Sequence, residues 1–151
     1  EDEINAFIPE AVVLPILVFV GISSYSQAFE VVDRKYFPAV IMASLPVVMD
    51  FIVDNMREGA LPGFMAFDPG SAFVGLLVGC VFVFIIDNNW KNASITNAAA
   101  LALTGIGMIH SPGILGTAAY APDMGFVQVY IVLMIVFAVM HFVGFNQKKT
   151  A

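Results

Sequence analysis

Apolar residues run along the chain in five long blocks, at about residues 9–28, 36–54, 70–87, 94–111 and 124–145, separated by shorter polar or charged segments. Each block is close to the roughly 20 residues that an α-helix needs to cross a ~30 Å hydrocarbon core. In such a core every backbone polar group must be satisfied within the segment, so apolar blocks of this length read as helices. The pattern therefore predicts an all-α fold: a polytopic transmembrane helical bundle of about five spans, forming one membrane domain over residues 1–151. The block at 94–111 is Ala/Gly-rich and only moderately apolar, and a re-entrant helix is the alternative there.

Composition removes the competing classes. Hydrophobic residues make up 60% of the chain and Asp, Glu, Lys and Arg 12%, against about 45–50% and about 25% in ordinary soluble domains. A water-soluble chain of 16.3 kDa with a mean hydropathy of +0.89 would leave large apolar patches in water. The net charge is -6 and no basic stripe is present, which excludes nucleic acid as a partner. Cys80 is the single cysteine, so neither a disulfide framework nor a thiolate metal cluster can form. The opening Glu1-Asp2-Glu3 has no start methionine and no basic region of the signal-peptide kind, and the chain is expected to be cut from something longer.

Charge bias tests the span count, because each crossing moves every later loop to the other side. With five crossings Arg34, Lys35, Lys91, Lys148 and Lys149 share one side and only Arg57 lies on the other. Removing the fourth crossing would abolish that bias. The preferred topology puts the amino end outside and the carboxyl end in the cytoplasm, in a plasma or inner membrane.

The blocks also carry polar and small residues with helical spacing. In the first, Pro15 interrupts the backbone bonding and Ser23 and Gln27 lie one turn apart, on a face directed at protein or at a water-filled path. In the second, Ala39, Ala43, Pro46, Asp50, Asp54 and Arg57 share one stripe. Asp50 is the most deeply placed carboxylate, and an intramembrane acid is by default a functional hypothesis. Gln27 and Asp50 are thus the substrate-pathway candidates. The competing readings are a glutamine bonded to a neighbouring helix and an interfacial acid, with Arg57 neutralising Asp54.

In the third block Ser71, Gly75 and Gly79 recur every fourth residue. Small residues at this spacing let helix backbones approach closely, which makes Ala39/Ala43 and Gly75/Gly79 the expected packing ridges. Asp87-Asn88-Asn89-Trp90-Lys91 then closes the block with an interfacial Trp. The fourth repeats the theme with Ala98, Ala102 and Gly105, with Ser94 or Thr96 as its cap. His110 lies at its outer end without a second ligand at metal spacing, and His141 near the end of the fifth block has no assigned chemistry. No catalytic motif is found, and the expectation is a protein that is not an enzyme and has neither metal nor cofactor.

The run Ile8 to Pro46, IPEAVVLPILVFVGISSYSQAFEVVDRKYFPAVIMASLP, resembles the nucleobase–cation symporter 2 family, the xanthine/uracil/vitamin C permeases with their hypoxanthine/guanine branch. The resemblance rests on Pro9, Ala11, Pro15 and Gly21 in a broken helix, on Gln27-Ala28-Phe29, a short charged turn, and Pro38-Ala39-Val40 before Pro46. It implies the twelfth and thirteenth of fourteen spans in an inverted-repeat transporter, with this chain supplying mostly gate domain. The family's substrate-coordinating carboxylates lie upstream of the matching stretch, so no binding residue is carried over. The function expected is secondary active transport of purine- or pyrimidine-type nucleobases with proton or sodium coupling; the alternative is a non-transporting membrane subunit or assembly scaffold. The partners expected are the lipid bilayer, a nucleobase with its ion, the rest of the parent transporter chain and, as an option, a second copy in a homodimer.

Overall fold

The computed structural model describes residues 10–56, 70–112 and 115–150, with the side chains of 10–14, 17, 54–56 and 145–150 outside the description. The described residues form five α-helices and one 3-10 turn, with no strand among them: α1 (Glu10–Val31), the turn Arg34–Tyr36, α2 (Phe37–Met56), α3 (Ser71–Ile86), α4 (Trp90–Ile106) and α5 (Met124–Thr150). The acids Glu1, Asp2, Glu3 and Asp68 and the pairing expected of Arg57 with Asp54 lie outside the described side chains.

The chain divides into two compact units, 1–37 and 38–151. In the first, α1 carries Pro15 inside it and leads to the 3-10 turn, where the Tyr36 N–H donates to the Asp33 carbonyl at 2.8 Å. Phe29 packs edge-on against Phe37, ring centroids 4.8 Å apart, and the Lys35 ammonium sits 4.4 Å over the Tyr36 ring.

In the second unit, local chemistry sets the helix ends. Asn88 adopts a left-handed φ of 54°, a conformation that Asn tolerates better than most residues. This folds α3 back into α4 over residues 87–89. The Asn89 side chain then accepts the Asn92 N–H at 3.3 Å and caps α4. At the other end Gly107 takes a φ of 81°, its N–H donating to Thr104 O while the Met108 N–H reaches Leu103 O, each at 3.0 Å. That is the paired bonding of a Schellman termination.

These two caps correct the expected fourth element. The helix runs 90–106 rather than 94–111, capped by Asn89 rather than Ser94 or Thr96, and Trp90 opens α4 instead of closing the preceding block. Residues 107–111 are not helical, because Gly107 ends the helix and His110 also has a positive φ, 56°. The segment that follows is tied down: Leu115 N–H donates to Ile106 O at 2.7 Å, Asp123 N–H to His110 O at 2.9 Å, and Tyr120 Oη–H to Gly105 O at 2.7 Å. Asp123 Oδ1 then accepts from Gly125 N–H at 2.7 Å and Phe126 N–H at 3.3 Å, an acidic cap for α5.

Helix α4 packs against both α3 and α5. Its inward residues are Ala93, Asn97, Ala100 and Thr104, all buried. The expected Ala98/Ala102/Gly105 ridge is not the packing face: Ala102 and Gly105 are exposed, and a Cβ on Gly105 would meet nothing within 4 Å. The outward surface is apolar. Two helical stretches, Arg34–Val53 and Met124–Gly144, are long and apolar enough to cross a membrane, yet only 11% and 6% of their most apolar windows are buried.

Candidate functional site

The seam between α2 and α3 collects four small residues and Asp50. A Cβ added to Gly75 would collide with the Ala43 carbonyl oxygen, and one added to Gly79 would lie 2.9 Å from the Ala43 Cβ and 3.7 Å from the Ala39 carbonyl oxygen. Ala39, Ala43, Gly75 and Gly79 therefore lie directly against one another, and only the absence of side chains lets the backbones come this close. Further along the seam the Ser71 hydroxyl donates to Asp50 Oδ2 at 2.5 Å, the short length expected of a hydroxyl bonded to a carboxylate. The pairs Asp50–Ser71, Ala43–Gly75 and Ala39–Gly79 occur in opposite order along the two helices, so α2 and α3 run antiparallel.

Ser71 is the first residue of α3, after Gly70 in the left-handed conformation. Backbone N–H groups in a helix's first turn have no partner within the helix, and negative charge is favoured there. Asp50 is thereby a group that joins two helices, part-buried at the seam's end. Gln27 is exposed and belongs to the first unit, and Ser24 near it spends its hydroxyl on the Val20 carbonyl at 2.8 Å.

A second cluster lies between α4, α5 and the segment after α4. Asn97 Nδ2 donates to the Tyr130 carbonyl at 2.7 Å, and Thr104 Oγ1 to Ala100 O at 2.9 Å. His110 is 1% exposed; its Nε2 lies 2.9 Å from Tyr130 Oη, and its ring stacks on Phe126 at a centroid distance of 3.9 Å and an angle of 12°. A buried imidazole and a phenol held in one bond can exchange donor and acceptor roles with the histidine tautomer. His110 is therefore an interior, bonded residue rather than one at a helix's outer end, and Tyr130 and Asn97 join it in a cluster whose pairings the sequence does not reveal. The available signal was the 4-3-4 spacing of Ala93, Asn97, Ala100 and Thr104, which puts two polar residues on an otherwise small-residue stripe.

Among the described residues, no buried side-chain nitrogen or oxygen is left without a hydrogen-bond partner, and no three His, Cys, Asp or Glu side chains converge as metal ligands would. Comparison with protein-family models, with curated protein sequences and with solved structures returns no match.

Proposed function

We propose that the chain is a lipid-embedded helical bundle with five crossings, its amino end outside and its carboxyl end cytoplasmic, serving as gate-domain-like structure in a secondary transporter of nucleobases. The observation that carries the membrane part is the inversion of burial. The two stretches long and apolar enough to cross a membrane are almost unburied, with 11% and 6% of their windows buried, while the buried positions of α4 include Asn97 and Thr104. Water would penalise that arrangement at roughly 25 cal/mol per Å² of exposed apolar surface, whereas lipid does not.

The transport part rests on the resemblance of residues 8–46 to the nucleobase–cation symporter 2 family and on the close-packed α2–α3 seam. A rigid helix pair of this kind suits an element against which a substrate-binding core rocks during alternating access. Coupling to protons or sodium follows from the same resemblance. One observation favours the second reading, a non-transporting membrane scaffold: Asp50 is bonded to Ser71, a helix-joining use of the acid.

Uptake of radiolabelled bases by cells expressing the full parent protein tests the choice. Uptake above vector controls supports transport, and equal uptake for every base tried removes it in favour of the scaffold.

A further inference from the structure

At the end of the second unit where α3 turns into α4, the first turns of α4 and the last described turns of α5 leave an open groove of about 210 Å³. Trp90, Lys91, Ser94 and Ile95 of α4 line it together with Ala138, His141 and Phe142 of α5. Every polar side chain among the described lining residues can donate a hydrogen bond, and no carboxylate is among them. Asp87, the nearest acid in sequence, precedes α4 and does not line the groove. Lys91 is exposed and has no hydrogen bond or ion pair among the described residues. Ile95 and Phe142, 58% and 68% exposed, give the lining an apolar surface. Trp90 is anchored from behind by Phe137, ring centroids 6.4 Å apart, and by Gly144, whose missing side chain leaves its Cβ position 3.9 Å from the indole.

We infer that this groove binds the phosphate headgroup of an anionic phospholipid, with Lys91, His141 and the Ser94 hydroxyl on the phosphate and an acyl chain along Ile95 and Phe142. The inference rests on the membrane reading above, under which Lys91 lies on the same side as Arg34, Lys35, Lys148 and Lys149. That side faces the leaflet whose anionic lipids attract basic residues. Charge complementarity selects the occupant: Lys91 is the one charged side chain in the described lining, and beside exposed Ile95 and Phe142 it matches a molecule that carries an anionic phosphate on a hydrocarbon chain.

Trp90 is the single tryptophan of the chain, so its fluorescence reports this groove alone. The test titrates the detergent-solubilised chain with phosphatidylglycerol or phosphatidylcholine brominated along the acyl chains, and measures quenching. Phosphatidylglycerol should quench at about fivefold lower concentration than phosphatidylcholine, the equivalent of ~1 kcal/mol for one lysine at an anionic surface. Lys91→Glu should remove that preference, His141→Ala should reduce it, and Lys35→Gln in the first unit should leave it unchanged. Inorganic phosphate at millimolar concentration should not compete.

Equal quenching by the two lipids overturns the headgroup site and leaves the membrane reading standing. No quenching by either overturns both. Full competition by inorganic phosphate overturns the lipid as occupant in favour of a free-phosphate site.

Discussion

A methyl group on Gly75 is the smallest perturbation that attacks the α2–α3 seam. In Gly75→Ala the new carbon meets the Ala43 carbonyl oxygen, a backbone atom that no rotamer change can move, so the helices must separate by about 1 Å to restore ordinary contact. A gap of that size forfeits a quarter to a half of each dispersion contact; over on the order of twenty atom pairs at ~0.1–0.2 kcal/mol each, this is about 0.5–2 kcal/mol. Strain from overpacking raises the total to about 1–3 kcal/mol, and the same displacement strains the Ser71–Asp50 bond. Thermal unfolding in detergent should register a fall of about 2–12 °C, at about 2–4 °C per kcal/mol for a chain of this size.

Gly79→Ala meets the Ala43 methyl rather than backbone, so it should cost less, and Ala43→Gly should rescue it. The same Ala43→Gly change should not rescue Gly75→Ala, whose obstacle is the carbonyl. Gly21→Ala and Gly105→Ala face open space and should be neutral or stabilising by up to ~1 kcal/mol, since Ala is the better helix former. A Gly75→Ala protein as stable as Gly105→Ala, or rescued by Ala43→Gly, would mean that the Ala43 carbonyl does not limit the approach of α2 and α3.

Asp50→Asn and Ser71→Ala should each lower stability by about 1–3 kcal/mol, and a double-mutant cycle in detergent should return a coupling above about 0.5 kcal/mol; additive losses would mean that the bond contributes nothing. If Asp50 also serves a solute path, Asp50→Asn should abolish base uptake where Ser71→Ala does not. Tyr130→Phe strips the buried His110 ring of its phenol partner and should cost about 1–3 kcal/mol, read as a lowered unfolding temperature; no change would show that His110 does not need that bond. Gly70→Ala combines a left-handed φ of 82° with contacts of 2.7 Å to Met108 O and 2.8 Å to Ile109 Cγ2, whereas Gly116 has a φ of 94° in open space. Both substitutions carry the ~1 kcal/mol of left-handed strain, so Gly70→Ala should be the worse of the two in the same melt, and equal melting temperatures would discount the contacts.

Local periodicity carried the parts of the fold that depend on neighbours in sequence. The five apolar blocks locate the five described helices, and the four-residue spacing of Ala39/Ala43 and Gly75/Gly79 points to residues that meet across one seam, because close backbone approach needs small residues on one face of each helix. What was illegible depends on distant partners. Asn97 and Tyr130 are 33 residues apart and His110 and Tyr130 are 20 apart, so neither pairing leaves a local pattern. The fourth helix was misplaced for a related reason: its boundaries follow from Asn89 as cap and Gly107 as terminator, while the alanine run between them is apolar enough to suggest a later start and end. Its packing face was misjudged because Ala98, Ala102 and Gly105 offer the same small-residue spacing as the stripe containing Asn97 and Thr104, and size alone cannot choose between two such faces. The sequence marks Asp50 as an unusual acid, but its partner Ser71 lies across a connection whose geometry the sequence does not specify.

Compartment reporters fused to the two ends of the chain and expressed in a bacterial cell would locate both ends relative to the membrane. An odd number of crossings, oriented by the Lys/Arg bias, predicts an extracytoplasmic signal from the amino end and a cytoplasmic signal from the carboxyl end. Both ends reporting from one compartment, or a fusion recovered monodisperse in buffer without detergent, would contradict it.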